Sequence, residues 1–235
     1  MTDIFRPLTD EEKHGHRLVG GSCLDAHRKP PMHFTPVPVS LEHSAAIPHP
    51  RTYKQAPVTG FYCYDDGDGL TGFATFRYDP PNARKQFGWL TYGKLEGEDL
   101  PRWHFRAPPP PRMLYNLPDL LGKADAPVLV VEGEKAANKA ALAASWQGYA
   151  VTTSSGGAEG AHKSDWSPLA GREVLIAPDN DIAGQAYAHA VAELARQAGA
   201  LTVQIIRWPD YFPKGWDIAD ALPVPEQKHV TGRAA

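Results

Sequence analysis

Apolar and polar positions follow two different rhythms along this chain. Between residues 60 and 95 the pattern is that of strands: short aromatic and β-branched runs broken by turn residues. GFYCYDD and LTGFATFRYD flank Asp66-Gly67-Asp68-Gly69, whose Asp-Gly steps favour the positive φ of a tight turn, so a β-hairpin is predicted. QFGWLTYG at 86–93 reads as a third strand. From residue 127 onward, unbroken apolar runs alternate with helical spacing. PVLVVEG (127–133), YAVTTSS (149–155), EVLIAPDND (173–181) and LTVQIIRW (201–208) read as strands buried on both faces. The alanine-rich stretch 134–146 and the amphipathic stretch 182–199, stopped by Gly199, read as helices between them, with a short helix near 217–222. Strand–helix alternation at this spacing predicts a parallel sheet with right-handed crossovers.

Proline divides the chain further. Seven of the 23 prolines fall between Pro30 and Pro57, and each removes a backbone donor, so residues 1–57 are expected to form a partly extended arm. A short helix is predicted from Thr9 to about Leu18, with Thr9 and Glu12 as a capping box. Pro108–Pro111 make a stiff spacer. The expected organisation is an arm (1–57), a small, mostly antiparallel module (58–112), an α/β domain (113–224) and a tail (225–235).

Composition narrows the chemistry. The 235 residues carry a net charge of −3, which argues against coating nucleic acid by bulk charge. Charge is unevenly placed, however: RWHFRAPPPPR (102–112) holds three arginines and no acid, while residues 113–235 carry 10 basic against 14 acidic side chains. No 18-residue apolar run or secretory signal is evident, so no membrane partner and a cytoplasmic setting are expected. Two cysteines, Cys23 and Cys63, support neither a disulfide framework nor a cysteine zinc site; of the histidines only His14 and His16 are close, and no zinc is expected.

Two predicted strands end in acid. The first closes on Glu132-Gly133-Glu134 and the third on Asp179-Asn180-Asp181. In parallel sheets ligands bind beyond the carboxyl ends of the strands. If these two strands are neighbours, Glu132, Asp179 and Asp181 converge there, and such a cluster calls for a hard divalent cation, Mg²⁺ or Mn²⁺. One acidic strand end alone would more simply cap the helix that follows. Lys135 and Lys139, at i and i+4 on the next helix, suit phosphate or a solvated face equally. GGAEGAHKS (156–164) is not a phosphate-binding P-loop, because His162 stands where that motif needs glycine.

VLVVEGEKAAN (128–138) and VLIAPDNDIAGQAYA (174–188) resemble the two motifs of the TOPRIM domain, Glu-Gly after one strand and Asp-x-Asp after another, with Gly184 three residues on. KGWDIADAL (214–222), with Asp217 and Asp220, is similar to the third acidic patch of that family, and with the GGA loop at 156–158 it looks most like the TOPRIM of phage and plasmid primase-helicases. The resemblance implies an α/β fold: a Rossmann-like, roughly four-stranded parallel sheet flanked by helices, preceded by a small β-rich α+β subdomain. It implies Glu132, Asp179 and Asp181 as catalytic residues, with Asp217 joining them as a metal ligand.

YDPPNARKQFGWL (78–90) is similar to the segment preceding TOPRIM in phage-type enzymes. Arg77, Arg84, Lys85, Arg102, Arg106 and Arg112 are then candidate nucleic-acid contacts, with Trp103, Phe105 and Trp89 able to stack on unpaired bases or to pack their own module. The implied activity is primase-like nucleotidyl transfer on single-stranded DNA with nucleotides as substrates, beside a separately encoded helicase or replication protein. A metal-dependent nuclease on the same acids and a non-catalytic nucleic-acid-binding adaptor are the alternatives.

Overall fold

The computed structural model describes residues 33–223. The predicted helix at Thr9–Leu18, Cys23, His14, His16, the first part of the arm and the tail lie outside the described residues. Among the described residues no helix is long and apolar enough to cross a membrane.

The first sheet is antiparallel, with strands β1 (Phe34–Pro36), β2 (Thr52–Tyr53), β3 (Ala56–Asp65), β4 (Thr71–Tyr78), β5 (Gln86–Leu95) and β6 (Arg102–His104). The order is β1-β5-β4-β3-β2, with β6 also on β5. β3 and β4 form the expected hairpin. Its turn is held by Asp66, whose Oδ1 accepts from the amides of Asp68 (3.0 Å) and Leu70 (2.9 Å), with Gly69 at φ 79°.

The proline-rich stretch departs from expectation: residues 34–57 are not a continuous extended arm but carry two short strands of this sheet, a short helix and the start of β3. β1 pairs with Gly93–Leu95 of β5, Ser40 caps the helix Leu41–Ala45, and β2 closes onto β3. Pro36 is tolerated in β1 because that strand lies on a sheet edge.

The second sheet is parallel, with β7 (Val128–Val131), β8 (Ala150–Thr152), β9 (Glu173–Ala177) and β10 (Thr202–Ile205) in the order β10-β9-β7-β8. Its apolar runs are unbroken because both faces are covered. Val128, Val130, Val174 and Ile176 pack on Tyr187, Ala188, Val191 and Ala192 of the helix Ile182–Gln197. Leu129, Val131 and Ala177 face Ala136, Ala137 and Ala140 of the helix Glu134–Leu142, with Tyr64 and Phe73 of the hairpin. The antiparallel sheet therefore shares its core with the parallel one. Its opposite face buries Phe76, Tyr78, Leu90 and Ile47.

Two further differences are local. Residues 217–222 form turns rather than a helix: Asp217 Oδ1 accepts from the Ala219 amide and Asp220 Oδ2 from the Asp217 amide, so side chains replace the helical ladder. Leu117–Gly122 is helical, with Pro118 in its first turn. The C-terminus of this helix is tied to the sheet by Arg172, whose buried guanidinium donates to the carbonyls of Leu120 (2.7 Å), Lys123 (2.6 Å) and Ala126 (2.6 Å).

Candidate active site at the carboxyl edge of the parallel sheet

β7 and β9 are neighbours in parallel register, Val131 beside Ala177. Glu132 and the Asp179-Asn180-Asp181 turn therefore leave the sheet at the same edge. Gly133 is the extended N-cap of the next helix and turns the chain sharply after Glu132. Asp181 caps the helix Ile182–Gln197, its Oδ1 accepting from the Gly184 amide at 2.8 Å. Gly184 is dictated by the same turn: a Cβ there would lie 2.2 Å from the Asp179 carbonyl oxygen.

The acids at this edge resist ionisation and repel one another. The Asp179 backbone amide donates to the Glu132 carboxylate, but Glu132 Oε2 is buried without a partner. Burial first, and then the charge of Asp181, push the Glu132 carboxyl up. Asp179 is pushed up to about 7, by burial first and then by Glu132, Asp217 and Asp181, with Lys85 opposing. An unpartnered buried oxygen beside mutually repelling carboxylates fits a divalent cation. Among the described residues no three His, Cys, Asp or Glu side chains form a closed cage.

Glu132, Asp179 and Asp217 line a cleft of about 610 Å³. Its other walls carry Arg77, Lys85, Lys135, Lys163 and Arg112, and the face of the antiparallel sheet contributes Tyr62, Phe87 and Trp89. The strand registers explain the grouping: Tyr62 pairs with Thr75, Thr75 with Trp89, and Arg77 with Phe87, so all five point from the same side of the sheet.

The expected site residues thus separate. Glu132, Asp179, Asp217, Arg77, Lys85, Arg112 and Lys135 meet in the cleft. Asp181 stands behind it as a helix cap, acting on Glu132 and Asp179 through its charge. Arg84, Arg102, Trp103, Arg106 and Lys139 do not line it. The basic strip is engaged elsewhere: Arg102 pairs with Glu98 at 2.6 Å, and Trp103 donates to the His43 carbonyl at 3.1 Å. The Arg106 guanidinium lies 4.5 Å over the Phe34 ring, and Phe105 stacks on Tyr53. These residues seal the far side of the antiparallel sheet. Arg112 is largely buried, its guanidinium 4.5 Å over the Trp89 ring and its Nε donating to the Pro108 carbonyl, so it braces the cleft wall.

Three participants escaped the sequence reading. Glu134, two residues from Glu132, also lines the cleft but is bonded into its wall: buried, its Oε1 accepts from Tyr64 and Thr75, both at 2.8 Å, joining the helix to the hairpin. Lys163 reaches the cleft from the 161–163 turn, which is anchored by the Arg112 amide donating to the Lys163 carbonyl at 2.7 Å. Phe87 lay inside a predicted strand, but only the register shows which face it takes.

Residues 132–222 match the model of a family described as Toprim-like. The match begins at Glu132 and runs past Asp217, so it spans the whole acidic edge. Among solved structures, the primase fragment of the bacteriophage T7 primase-helicase protein is similar, at 15% identity and a TM-score of 0.44. The alignment covers 67% of this chain and 55% of that one, so the chain spans little more than half the length of that fragment. No curated protein matches the chain. TOPRIM domains occur in enzymes such as primases and nucleases and generally bind divalent metals such as Mg²⁺.

Proposed function

We propose that this chain, whose residues 132–222 match a Toprim-like family at the edge of a four-stranded parallel sheet, is a primase-like nucleotidyltransferase that synthesises short primers on single-stranded DNA. One observation carries the reading: Glu132, Asp179 and Asp217 share a single cleft with Lys85, Lys135 and Lys163 and with an aromatic sheet face. Acids alone would suit many cation sites. Acids facing lysines across a cleft that also offers flat rings suit a substrate with a triphosphate at one end and unpaired bases at the other.

In this reading Asp179 and Asp217 hold Mg²⁺ or Mn²⁺ together with substrate oxygens. The bound cation supplies charge neutralisation at the phosphates and acidifies the attacking hydroxyl. Glu132 is the base. It takes the proton as the 3′-oxygen bonds to the α-phosphorus and the bond to pyrophosphate breaks; burial, which raises its carboxyl, favours that role. Lys85 and Lys135 receive the phosphates, while Tyr62, Phe87 and Trp89 stack template or incoming bases. A helicase or other replication protein is the expected partner.

The test is a denaturing gel of single-stranded DNA with labelled nucleotides and Mn²⁺, comparing wild type with Glu132→Gln. New short oligomers from the wild type alone support the proposal. A shortened template without synthesis would instead assign a nuclease to the same acids. Strand binding with neither product would leave a binding module.

A further inference from the structure

Asn180, the middle residue of Asp179-Asn180-Asp181, does not line the cleft but is bonded through its backbone N–H, its carbonyl and its side-chain NH2. Its side-chain amide donates to the carbonyls of Phe212 and Pro213, each at 3.0 Å. Its backbone N–H donates to the Trp216 carbonyl at 2.8 Å, and its carbonyl accepts from the Gly215 amide at 2.9 Å. All four bonds end on residues 212–216, the segment that delivers Asp217 to the cleft. Gly215, at φ 76°, makes the turn between them. Trp208 completes the attachment: its Nε1 donates to the Pro178 carbonyl at 2.7 Å, and its ring packs on Phe212 and Trp216 at 5.4 and 4.7 Å.

We infer that Asn180 is a positioning residue that fixes Asp217 opposite Asp179, coupling the second and third acids of the site into one cation-binding unit. The choice of side chain follows from the bonds. Two carbonyl acceptors require a group with two N–H donors, so aspartate, which has none, would set a carboxylate against both carbonyls. Alanine would leave both carbonyls unpaired and free the loop. Asn180 touches neither substrate nor cation in this arrangement; it acts through where Asp217 sits. The inference rests on the reading of Asp179 and Asp217 as ligands of the same cation.

A double-mutant cycle on the full-length protein tests it, with Mn²⁺ alone as the probe and its dissociation constant read from the electron paramagnetic resonance of the free ion. Wild type, Asn180→Ala, Asp217→Asn and the double variant are compared, with circular dichroism reporting fold. Groups that orient metal ligands typically govern affinity by about 10-fold or more. Asn180→Ala is expected to weaken Mn²⁺ by about that factor, and to weaken it no further when Asp217→Asn is already present. Multiplying effects in the double variant, or unchanged affinity in Asn180→Ala, would overturn the inference. If Asn180→Ala fails to fold, Trp208→Phe, which keeps an aromatic ring but removes the indole N–H, is the second variant and faces the same cycle. Wild type that binds no Mn²⁺ refutes both this inference and the proposed chemistry; wild type that binds while the cycle shows independence refutes the inference alone.

Discussion

Replacing Asp179 by asparagine should make the metal-free protein more stable. The isostere keeps the shape of the side chain and removes a charge that the fold resists. Asp179 titrates at about 7 in the folded chain against an ordinary 3.8, because burial and the charges of Glu132, Asp217 and Asp181 all oppose ionisation. The sign follows from linkage. Between these values the folded state binds more protons than the unfolded one, so stability falls as pH rises through the window. Each tenfold change in proton affinity is worth about 1.4 kcal/mol, which sets a ceiling of about 4 kcal/mol above pH 7. Asp179 is only half-buried, and solvent screening brings the expected gain of Asp179→Asn to about 1–2 kcal/mol at pH 8. For a chain of this size that is a rise in melting temperature of about 5 °C. Thermal unfolding with EDTA, from pH 4 to pH 8.5, should show the advantage growing with pH and vanishing near pH 4. Millimolar Mn²⁺ should then stabilise the wild type and leave the variant behind, since only the folded wild type binds it well. Equal melting temperatures at pH 8, or a gap that does not close toward pH 4, would refute the electrostatic reasoning.

Other perturbations separate the site from its supports. Glu134→Ala should cost about 2–4 kcal/mol, because it leaves the hydroxyls of Tyr64 and Thr75 without their acceptor; Glu132→Gln, by contrast, should be neutral or stabilising, and denaturant midpoints measured side by side decide this. Gly184→Ala should cost more than about 2 kcal/mol through the clash with the Asp179 carbonyl, and a variant that melts like wild type would show that this turn can relax. Arg172→Met strands the carbonyls of Leu120, Lys123 and Ala126 and should lower stability by about 2–4 kcal/mol, read by thermal unfolding. In binding to single-stranded DNA, Lys85→Ala should reduce the slope of log affinity against log salt by about one, while Arg102→Ala should leave it unchanged; the reverse result would put the nucleic acid on the far face of the sheet.

The parallel sheet was legible because its signals are local. An unbroken apolar run ending in Glu-Gly or in Asp-Asn-Asp carries its strand, its turn and its acid within about ten residues, and adjacency of β7 and β9 was the single assumption needed to bring Glu132 and Asp179 together. The basic wall was legible only in part: Arg77, Lys85, Arg112 and Lys135 were among the candidates, Lys163 was not, and the 102–106 strip was misplaced. RWHFRAPPPPR is the densest basic stretch, yet Arg102 and Arg106 are absorbed by Glu98 and the Phe34 ring, while the cleft takes Arg77, Lys85 and Lys163 from three separated segments. Charge density along a chain says nothing about which face of a sheet a side chain takes; that is fixed by strand register, and a shift of one residue would exchange Phe87 and Trp89 for Gln86 and Gly88.

The same contrast explains the two glutamates of Glu-Gly-Glu. Glu132 ends the strand and projects from the sheet edge. Glu134 opens the helix, on the turn that buries Ala136, Ala137 and Ala140 against the hairpin, so its carboxylate falls into the seam between the sheets. There the hydroxyls of Tyr64 and Thr75 take the place of water. One acid keeps a carboxylate oxygen unpartnered in the cleft, and the other, two residues away, has an oxygen held by two hydroxyls of the hairpin. A strand-to-helix junction can do both because the direction of the side chains changes abruptly at Gly133. The antiparallel sheet is therefore no mere appendage of the acidic edge: Glu134 ties it to the helix that follows Glu132, and through that tie Lys85, Phe87 and Trp89 face the carboxylates.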